Sequence, residues 1–548
     1  MRLPSMRFKD QIKKRKQVQF GGLNHNYGAA DGELWDMRNM TGEEYPLLAS
    51  RRERAKVASL TSPGGLFSHN GLAWVDGTGF YYKGEQKGTV TAGRKTFAAL
   101  GAYIIILPDK AYFNTLTDEF GSMESAWVGT SLTFTHGKLY EEDAENNTIQ
   151  CSGVDWADYF KAGDAVTIEG CTKHPENNKT PIIREIDGDK LYFYEYVFTL
   201  DGEENDTAYT ETGSLTIKRT VPDMLYLCEN ENRLWGCDRT TIYASKLGDI
   251  FNWNVYDGLE TDSYAVSTGS AGDFTGCVSY LGYPVFFKAD NIYKVYGDTP
   301  SKFQVMGSAT MGIARGSAAS AAVAGEVLFY LSDSGVVAYS GGIPSLAGEQ
   351  LGKGKMKNAV GGSSGSCWYA SMEQEDGSWL LYVYDTRKGL WHIEDETQAV
   401  GFARYDGGLY MLDSGGDLWL VDGVAPQGAQ DEGPVEWSVE FADFYEFTTY
   451  SSSTTAAPEK KGVGKFQLRL ELGTGASASV SIRYDSVGDW QHVSTMTATQ
   501  KRSFYLPVVP RRCDHYRLKI TGTGEFRLYS LTREYYIGSE LRSIAGRQ

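Results

Sequence analysis

Short runs in which apolar and polar residues alternate dominate this chain, and they predict strands rather than helices. The stretch from Asn232 to Gly297 shows the pattern well. Runs such as Ile242-Tyr-Ala and Val285-Phe-Phe place side chains on alternate faces of a sheet, and Gly, Asp and Asn separate the runs. Comparable units, such as Tyr103-Ile-Ile-Ile-Leu107, recur on both sides of this stretch. Few segments keep a helical period, so the pattern predicts an all-β fold.

The spacing of these units indicates the architecture. Outside one interruption they fall about 35–55 residues apart, which is the length of a four-stranded propeller blade. The interruption contains Gly-Asp and Asp-Gly turns between short strands, a pattern typical of a small barrel inserted into a blade loop. After a Gly- and Pro-containing linker, strict apolar–polar alternation resumes, as in an antiparallel sandwich. We predict a β-propeller of about six or seven blades, an inserted small β-barrel and a C-terminal β-sandwich.

The predicted domain boundaries follow from these changes in pattern. They are a basic N-terminal arm at 1–20, propeller parts at 21–131 and 222–424, the inserted barrel at 132–221, and the sandwich at 435–548.

Charge and cysteine content restrict the function. A formal net charge of −17 over 548 residues argues against a protein that wraps around nucleic acid, because phosphate neutralisation requires clustered Lys and Arg. An acidic wall would nevertheless let DNA pass without adhering. The seven cysteines are scattered without a CxxC pair, which indicates reduced thiols rather than a disulfide framework or zinc site. The basic, polar N-terminus lacks the apolar segment of a secretory signal, and no run is long enough for a membrane span.

The basic arm is the first candidate contact surface. It is either a solvated terminus or a tail that docks on an acidic neighbour, such as another copy of this chain, with nucleic-acid contact as a weaker alternative. The candidate partner-contact residues are Arg7, Lys13, Lys14, Arg15 and Lys16.

A search for catalytic residues finds no convincing group. Gly361-Gly-Ser363-Ser-Gly365 has the spacing of a nucleophile elbow, but its flanks predict a loop entering a strand rather than a strand–turn–helix. No His pair has metal-ligand spacing, and Asp residues such as Asp333 and Asp413 lie in predicted turns, where they bond their own backbone. The sequence therefore predicts a protein that is not an enzyme and has no catalytic residue, metal or cofactor.

Two groups of segments resemble known phage proteins. The first group comprises Phe20-Gly-Gly-Leu-Asn24, Asp36, Asn39, Tyr45-Pro46, Arg51, Arg233-Leu-Trp235, Ile242 to Asp249, Asn252-Trp253 and Val285 to Gly297. These segments resemble the opening and the propeller core of bacteriophage tail-nozzle proteins of the tail tubular protein B type. The second group comprises Tyr484-Asp485, Trp490, Leu506-Pro507, Pro510 to His515 and Gly522 to Gly524. These segments resemble the end domain of prophage proteins from Gram-positive hosts. The resemblance is spread over most of the chain and is weakest in the inserted segment.

This resemblance implies a structural virion protein in the phage tail, assembled in the host cytoplasm. It implies a homohexameric ring on the adaptor below the portal, a possible contact with tail fibres, and DNA running through the central channel without sequence-specific binding. Candidate channel-facing acidic residues are Glu141, Glu142, Asp143, Glu203 and Glu204. Two alternatives stay open, namely a neck or tail-hub protein of a long-tailed phage and a glycan-binding or glycan-cleaving β-propeller.

Overall fold

The computed structural model describes residues 12–26, 29–138, 145–194, 197–201, 208–446, 460–497, 499–508 and 511–537. Strands make up its regular structure throughout. Helical structure in these ranges is limited to five three-residue 3-10 turns, at Trp156–Asp158, Pro175–Asn177, Pro300–Lys302, Ala318–Ser320 and Glu349–Leu351. The chain divides into two compact units: residues 1–60, 320–340 and 345–548 form the first, and residues 61–319 and 341–344 form the second.

The N-terminal segment of the first unit contributes five strands. They are β1 (Ile12–Gln17), β2 (Leu34–Arg38), β3 (Met40–Thr41), β4 (Leu48–Ser50) and β5 (Ala55–Ser59).

The second unit contains four antiparallel four-stranded sheets and a separate six-stranded sheet. The first two four-stranded sheets are β6 (Pro63–Ser68), β7 (Leu72–Asp76), β8 (Gly79–Tyr82), β9 (Glu85–Thr89) and β10 (Thr96–Leu100), β11 (Tyr103–Leu107), β12 (Ala111–Asn114), β13 (Glu119–Ser122). The six-stranded sheet follows as β14 (Ser125–Lys138), β15 (Glu145–Gln150), β16 (Thr167–Glu169), β17 (Ile183–Asp187), β18 (Lys190–Phe193) and β19 (Tyr209–Arg219). The other two are β20 (Tyr226–Asn230), β21 (Arg233–Cys237), β22 (Thr241–Ala244), β23 (Tyr264–Ser267) and β24 (Gly276–Tyr280), β25 (Tyr283–Lys288), β26 (Asn291–Tyr296), β27 (Gln304–Ala309).

Each four-stranded sheet is an up-and-down meander whose apolar residues pack against the next sheet. Phe80 on β8 meets Phe113 on β12 with ring centroids 5.6 Å apart, which joins the first sheet to the second. Trp253 is 1 % exposed and lies in one apolar cluster with residues of β10, β11 and β21. Burying a large apolar side chain stabilises a fold by about 1.5–3 kcal/mol, so such clusters hold successive sheets face to face.

The six-stranded sheet closes into a barrel. Its strand order is β16-β19-β14-β15-β18-β17. A bridge between Ala165 and Ile182, with hydrogen bonds from Gly163 N to the Ile183 carbonyl (2.7 Å) and from Val166 N to the Pro181 carbonyl (3.0 Å), joins the two ends of that order. Inward-facing Leu132, Phe134, Trp156 and Ile217 fill the interior.

The first unit contains three further blade-type sheets. Their strands are β28 (Ala322–Ala324), β29 (Val327–Ser332), β30 (Gly335–Tyr339), β31 (Ser345–Leu346); β32 (Lys357–Ser364), β33 (Cys367–Glu373), β34 (Trp379–Asp385), β35 (Leu390–Ile393); and β36 (Ala399–Tyr405), β37 (Gly408–Asp413), β38 (Asp417–Asp422). The third sheet has only three consecutive strands, and the N-terminal β5 supplies its fourth by pairing antiparallel with β38. The short β39 (Gln430–Asp431) then pairs with β5.

A two-sheet sandwich completes the first unit. Its remaining strands are β40 (Glu436–Phe441), β41 (Lys461–Leu472), β42 (Ser477–Tyr484), β43 (Gln491–Met496), β44 (Arg502–Pro507), β45 (Arg512–Cys513), β46 (Tyr516–Thr523) and β47 (Phe526–Ile537). One sheet has the order β3-β4-β47-β41-β44, and the other β2-β40-β46-β42-β43. Alternate residues of β42 are buried, as the strict apolar–polar alternation requires. The segment at 34–50, placed by the sequence in the first propeller part, thus supplies three strands to the sandwich sheets.

The predicted fold class is confirmed: the protein is all-β and propeller-type, with an inserted barrel and a C-terminal sandwich. The described residues hold seven blade-type sheets, at the upper end of the predicted number. The barrel strands run from Ser125 to Arg219, and the sequence interpretation placed this insertion at 132–221.

Candidate functional sites

The basic residues predicted to contact a partner lie on β1, except for Arg7, which is outside the described residues. β1 pairs along its whole length with β47, so this part of the arm is an ordered strand of the sandwich. Lys14 Nζ lies 3.3 Å from Glu534 Oε2, and Arg15 Nη1 lies 3.3 Å from Asp31 Oδ2. Lys16 is exposed. These contacts give the strand intramolecular partners, while its contact with another chain stays a prediction.

The acidic residues predicted to face a channel, Glu141, Glu142, Asp143, Glu203 and Glu204, lie outside the described residues. Asp201 stands at the edge of the second group and is described. Asp201 contacts Lys173, and its Oδ1 lies 2.7 Å from His174 Nε2. The lining of a channel therefore stays a prediction.

A buried ionic cluster lies beneath β1 in the sandwich. Arg533, with 0 % of its side chain exposed, donates from Nε to Glu446 Oε1 (2.6 Å) and from Nη2 to Asp31 Oδ2 (2.6 Å). Tyr516 donates its hydroxyl to the same Glu446 oxygen at 2.7 Å. Burial works against the charged form of Arg533, but Tyr516, Glu446 and Asp31 together outweigh it and raise the pKa of the guanidinium. Arg533 keeps its charge by pairing with these groups, and its Nη1 has no hydrogen-bond partner among the described residues.

A second buried ionic cluster secures β5, the strand that completes the third sheet of the first unit. Arg51 forms a bidentate ion pair with Glu432, donating from Nη1 to Oε2 at 2.6 Å and from Nη2 to Oε1 at 2.7 Å. Arg54 donates to Glu394 at 2.5 Å and lies 2.7 Å from Asp395. Burial alone would raise the pKa of Glu432 and of Asp395, but the neighbouring arginines outweigh it and lower both pKa values. The arginines therefore keep Glu432 and Asp395 ionised, and the ion pairs tie β5 to the loop that follows β35.

A cavity of about 150 Å³ adjoins this second cluster and is lined in part by Arg54, Tyr369, Asp385 and His392. His392 is 6 % exposed, and its Nδ1 has no hydrogen-bond partner. Burial lowers the pKa of His392 to about 4, so the ring is neutral at physiological pH. The neutral imidazole and the paired charges around it make this cavity polar.

A third ionic cluster joins the barrel to the blade-type sheets of the second unit. Arg219 on β19 contacts Asp164, and both side chains are more than nine-tenths buried. Asn252 donates to Asp164 Oδ1 at 3.2 Å and accepts from Ala165 N at 2.9 Å. Arg219 also donates to the Met123 carbonyl at 3.2 Å, next to the point where the barrel begins. The barrel is thus fixed to its neighbours by fully bonded polar groups, which favours a rigid attachment.

Arg233, at the start of β21, organises the long loop that carries Asn252. It is 3 % exposed and donates to the backbone carbonyls of Ser245 (2.9 Å), Asp262 (2.5 Å) and Glu260 (2.6 Å). Burial lowers the pKa of Arg233. One side chain therefore fixes both ends of the loop, and its donors are satisfied by backbone rather than by a ligand.

The geometry provides no catalytic arrangement at the GxSxG segment. Ser363 lies within β32 opposite Trp368, so the segment is part of a strand and not a strand–turn–helix elbow. Among the described residues, no group of three or more His, Cys, Asp or Glu side chains could hold a metal ion. In the same residues no helix has the length and apolar character needed to cross a membrane.

Several residues in these clusters were not found from the sequence. Arg54 and Glu394 lie 340 positions apart, and Asp164 precedes β16 whereas Arg219 ends β19, 55 positions later. Arg51, Arg233 and Asn252 lay in the segments that carry the family resemblance, but only the structure shows what they bond. A buried charge is visible in a sequence as an isolated Arg or Asp beside apolar residues, and that signal is too common to assign a partner.

Comparisons with known proteins identify no family. No protein-family model and no curated protein matches this chain. Among solved structures, Raptor from Chaetomium thermophilum is 11 % identical with a TM-score of 0.31, covering 69 % of this chain and 30 % of Raptor. An exo-β-1,3-galactanase from Phanerochaete chrysosporium is 8 % identical with a TM-score of 0.22, covering 56 % of this chain and 94 % of that chain. A Trypanosoma rangeli sialidase is 10 % identical with a TM-score of 0.23, covering 95 % and 96 % of the two chains. Similarities this low assign neither family nor activity.

Proposed function

We propose that this chain is a structural virion protein, a tail-nozzle subunit that continues the DNA channel below the portal and adaptor and helps to retain and deliver the genome. The proposal is supported by the structural role of polar residues in the segments that resemble nozzle proteins. Arg51, Arg233 and Asn252 are all buried and bonded within the fold. These residues join sheets, loops and the barrel, as a scaffold requires.

Buried polar contacts of this kind make the connections between sheets, loops and the barrel rigid. A conduit for packaged DNA must keep its bore under load, and buried, fully bonded polar networks fix one arrangement because breaking them exposes unpaired charges in a low dielectric. The barrel is attached in this way through Asp164, Arg219 and Asn252. A closed barrel also has no free sheet edge at which a neighbouring copy could add by mistake.

The acidic character of the chain agrees with a channel that does not retain DNA. A net charge of −17 repels phosphates overall, so the duplex would slide instead of binding. The proposal therefore includes weak, salt-sensitive and sequence-independent DNA binding by the isolated protein.

Assembly into a ring needs a head-to-tail interface between copies. β1 presents Lys13 and Lys16, whose side chains form no ion pair with a described residue, and Lys16 is exposed. We propose that these lysines meet the acidic surface of the next copy, with the adaptor ring as the second partner.

Sedimentation velocity and electron microscopy of the full-length protein, alone and with the adaptor protein, test the proposal. We expect a closed ring, hexameric in copy number, and we expect the protein in purified virions by mass spectrometry. The double variant K13E/K16E should weaken the ring, whereas K355E, which reverses an exposed lysine elsewhere, should not. A protein that stays monomeric with the adaptor and is absent from virions would overturn the proposal.

The same experiments separate the alternatives. Antibody labelling of particles at the collar of a long tail would place the protein in a neck or hub instead of a nozzle. Binding on a glycan array would support a glycan-binding propeller. Release of reducing sugar would support a glycan-cleaving propeller and contradict the prediction that the chain is not an enzyme.

A further inference from the structure

Three cysteines that are far apart in the sequence meet in the second unit. Cys228 lies on β20, Cys237 on β21 and Cys277 on β24. β20 and β24 are the first strands of successive four-stranded sheets and run beside each other without sharing a hydrogen-bonded ladder. All three side chains belong to one apolar cluster, with Cys237 inside it and Cys228 and Cys277 packed against its edge.

The three thiols differ in their access to solvent. Cys237 is fully buried, at 0 % exposure, in an apolar cluster with Trp235 and Phe286. Cys228 and Cys277 are only half-buried at the edge of the same cluster. Cys277 can therefore meet either neighbour, but only the Cys228–Cys277 pair is reachable by a small solute from water.

We propose that Cys228 and Cys277 are an oxidisable pair whose disulfide would link the first strands of two successive sheets. The two side chains pack against one apolar cluster from neighbouring strands, and a disulfide needs their sulfurs to close to about 2.05 Å. The link would close a chain loop running through β20 to β24, and a covalent loop of that length restricts the unfolded chain more than the folded one. The proposal does not depend on the ring function.

The oxidation balances with a hydroperoxide as the oxidant. Cys277 loses its proton to water, and its sulfur attacks one peroxide oxygen, which breaks the O–O bond and gives a sulfenic acid and hydroxide. Cys228 then loses its proton, and its sulfur attacks the sulfenic sulfur, which forms the S–S bond and expels the second oxygen as water. The two thiols are oxidised by two electrons in total, and the peroxide is reduced to two waters.

The environment makes this a slow reaction. The hydrogen bond from Cys277 and burial raise the pKa of Cys228 well above its ordinary value, and burial raises that of Cys277 as well. Because the thiolate is the reactive form, the pair should stay reduced in a reducing compartment and oxidise faster as pH increases. A slow oxidation of this kind suits a stabilising cross-link that forms in an oxidising environment and not a rapid redox sensor.

The test uses the full-length protein treated with hydrogen peroxide at neutral and alkaline pH, followed by alkylation, non-reducing digestion and mass spectrometry. We expect one peptide pair joined through Cys228 and Cys277, formed faster at the higher pH. We also expect a rise of roughly 3–8 °C in a thermal transition, reversed by dithiothreitol. C228S and C277S should abolish the link and the shift, whereas C237S should keep both.

The wild-type peptide map decides the outcome without relying on the folding of any variant. Cys228 and Cys277 recovered as alkylated thiols after oxidation of the folded protein would overturn the proposal. So would a Cys237–Cys277 link as the main product, because the geometry favours the two half-buried thiols.

Discussion

The guanidinium of Arg54 and the carboxylate of Glu394 lie 2.5 Å apart, with 4 % and 8 % of their side chains exposed. Arg54 immediately precedes β5, and Glu394 immediately follows β35. The pair therefore connects the N-terminal strand that completes one sheet to the end of the preceding sheet. A sheet that includes a strand from a distant part of the chain depends on such a contact, because no tight turn holds that strand in register.

Replacement of Arg54 by alanine should strongly destabilise the first unit. It would leave Glu394 and Asp395 buried without their main cation, and breaking a buried pair from one side costs about 3–5 kcal/mol. Urea unfolding followed by tryptophan fluorescence measures the loss. Arg52→Ala is the matched control, because the Arg52 side chain is 86 % exposed and its ion pair with Glu43 is long at 3.8 Å. Equal effects of the two variants would contradict a structural role for the buried pair.

Asn252→Ala should loosen the attachment of the barrel. It removes the acceptor for Ala165 N and a donor to Asp164, and unsatisfied buried polar groups cost about 1–3 kcal/mol. Hydrogen exchange should therefore accelerate around Ala165 while the interior strands of the barrel stay protected. Asn254→Ala is the control, because Asn254 makes only a 3.4 Å contact with Thr220. Unchanged exchange at Ala165 in the Asn252 variant would show that the attachment does not rely on this amide.

The sequence predicted the strands and the sheet classes because those depend on local patterning. The runs around Ile104 and Phe286 alternate or stay apolar over strand length, and the structure buries both residues at 0 % exposure. The insertion was visible because its turns interrupt the repeat. The strict alternation along β42 predicted the sandwich for the same reason.

The sequence did not predict which strands pair over long distances. β5 pairs with β38 and β2 with β40, across most of the chain, and no local pattern encodes such partners. The ionic clusters were missed for a related reason. Arg533 lies in a strand that alternates as expected, yet its charge is buried against Glu446 and Asp31. Contacts of this kind are fixed only when the whole sheet forms.

His392 should make the first unit sensitive to acid between about pH 6.5 and 4. Burial lowers its pKa from 6.5 to about 4, with Asp385 opposing and Lys388 adding to the shift. In this pH range His392 is protonated in the unfolded chain but not in the folded chain. The free energy of unfolding should therefore fall by about 3 kcal/mol as the pH decreases through this range. His392→Gln should remove this part of the pH dependence.

Chemical denaturation at a series of pH values measures that effect. The exposed His492 provides the control, and His492→Gln should leave the profile unchanged. The pKa values of Asp395 and Glu432 are lowered, so these carboxylates contribute stability that is lost at more acidic pH, and that loss should persist in the His392 variant. A His392→Gln profile parallel to the wild type would show that the imidazole is not buried in solution.

Deletion of residues 1–17 should expose one edge of β47 while the other edge stays paired. β47 pairs with β1 from Leu531 to Tyr536 and with β41 on its opposite side, and alternate amides of an antiparallel strand point to opposite neighbours. Hydrogen exchange should therefore accelerate for about half of the amides in this stretch. Deletion of residues 1–11 alone keeps β1 and should leave the exchange unchanged. If the shorter deletion produced the same loss of protection, or the longer one produced none, β1 would not be the strand that covers this edge.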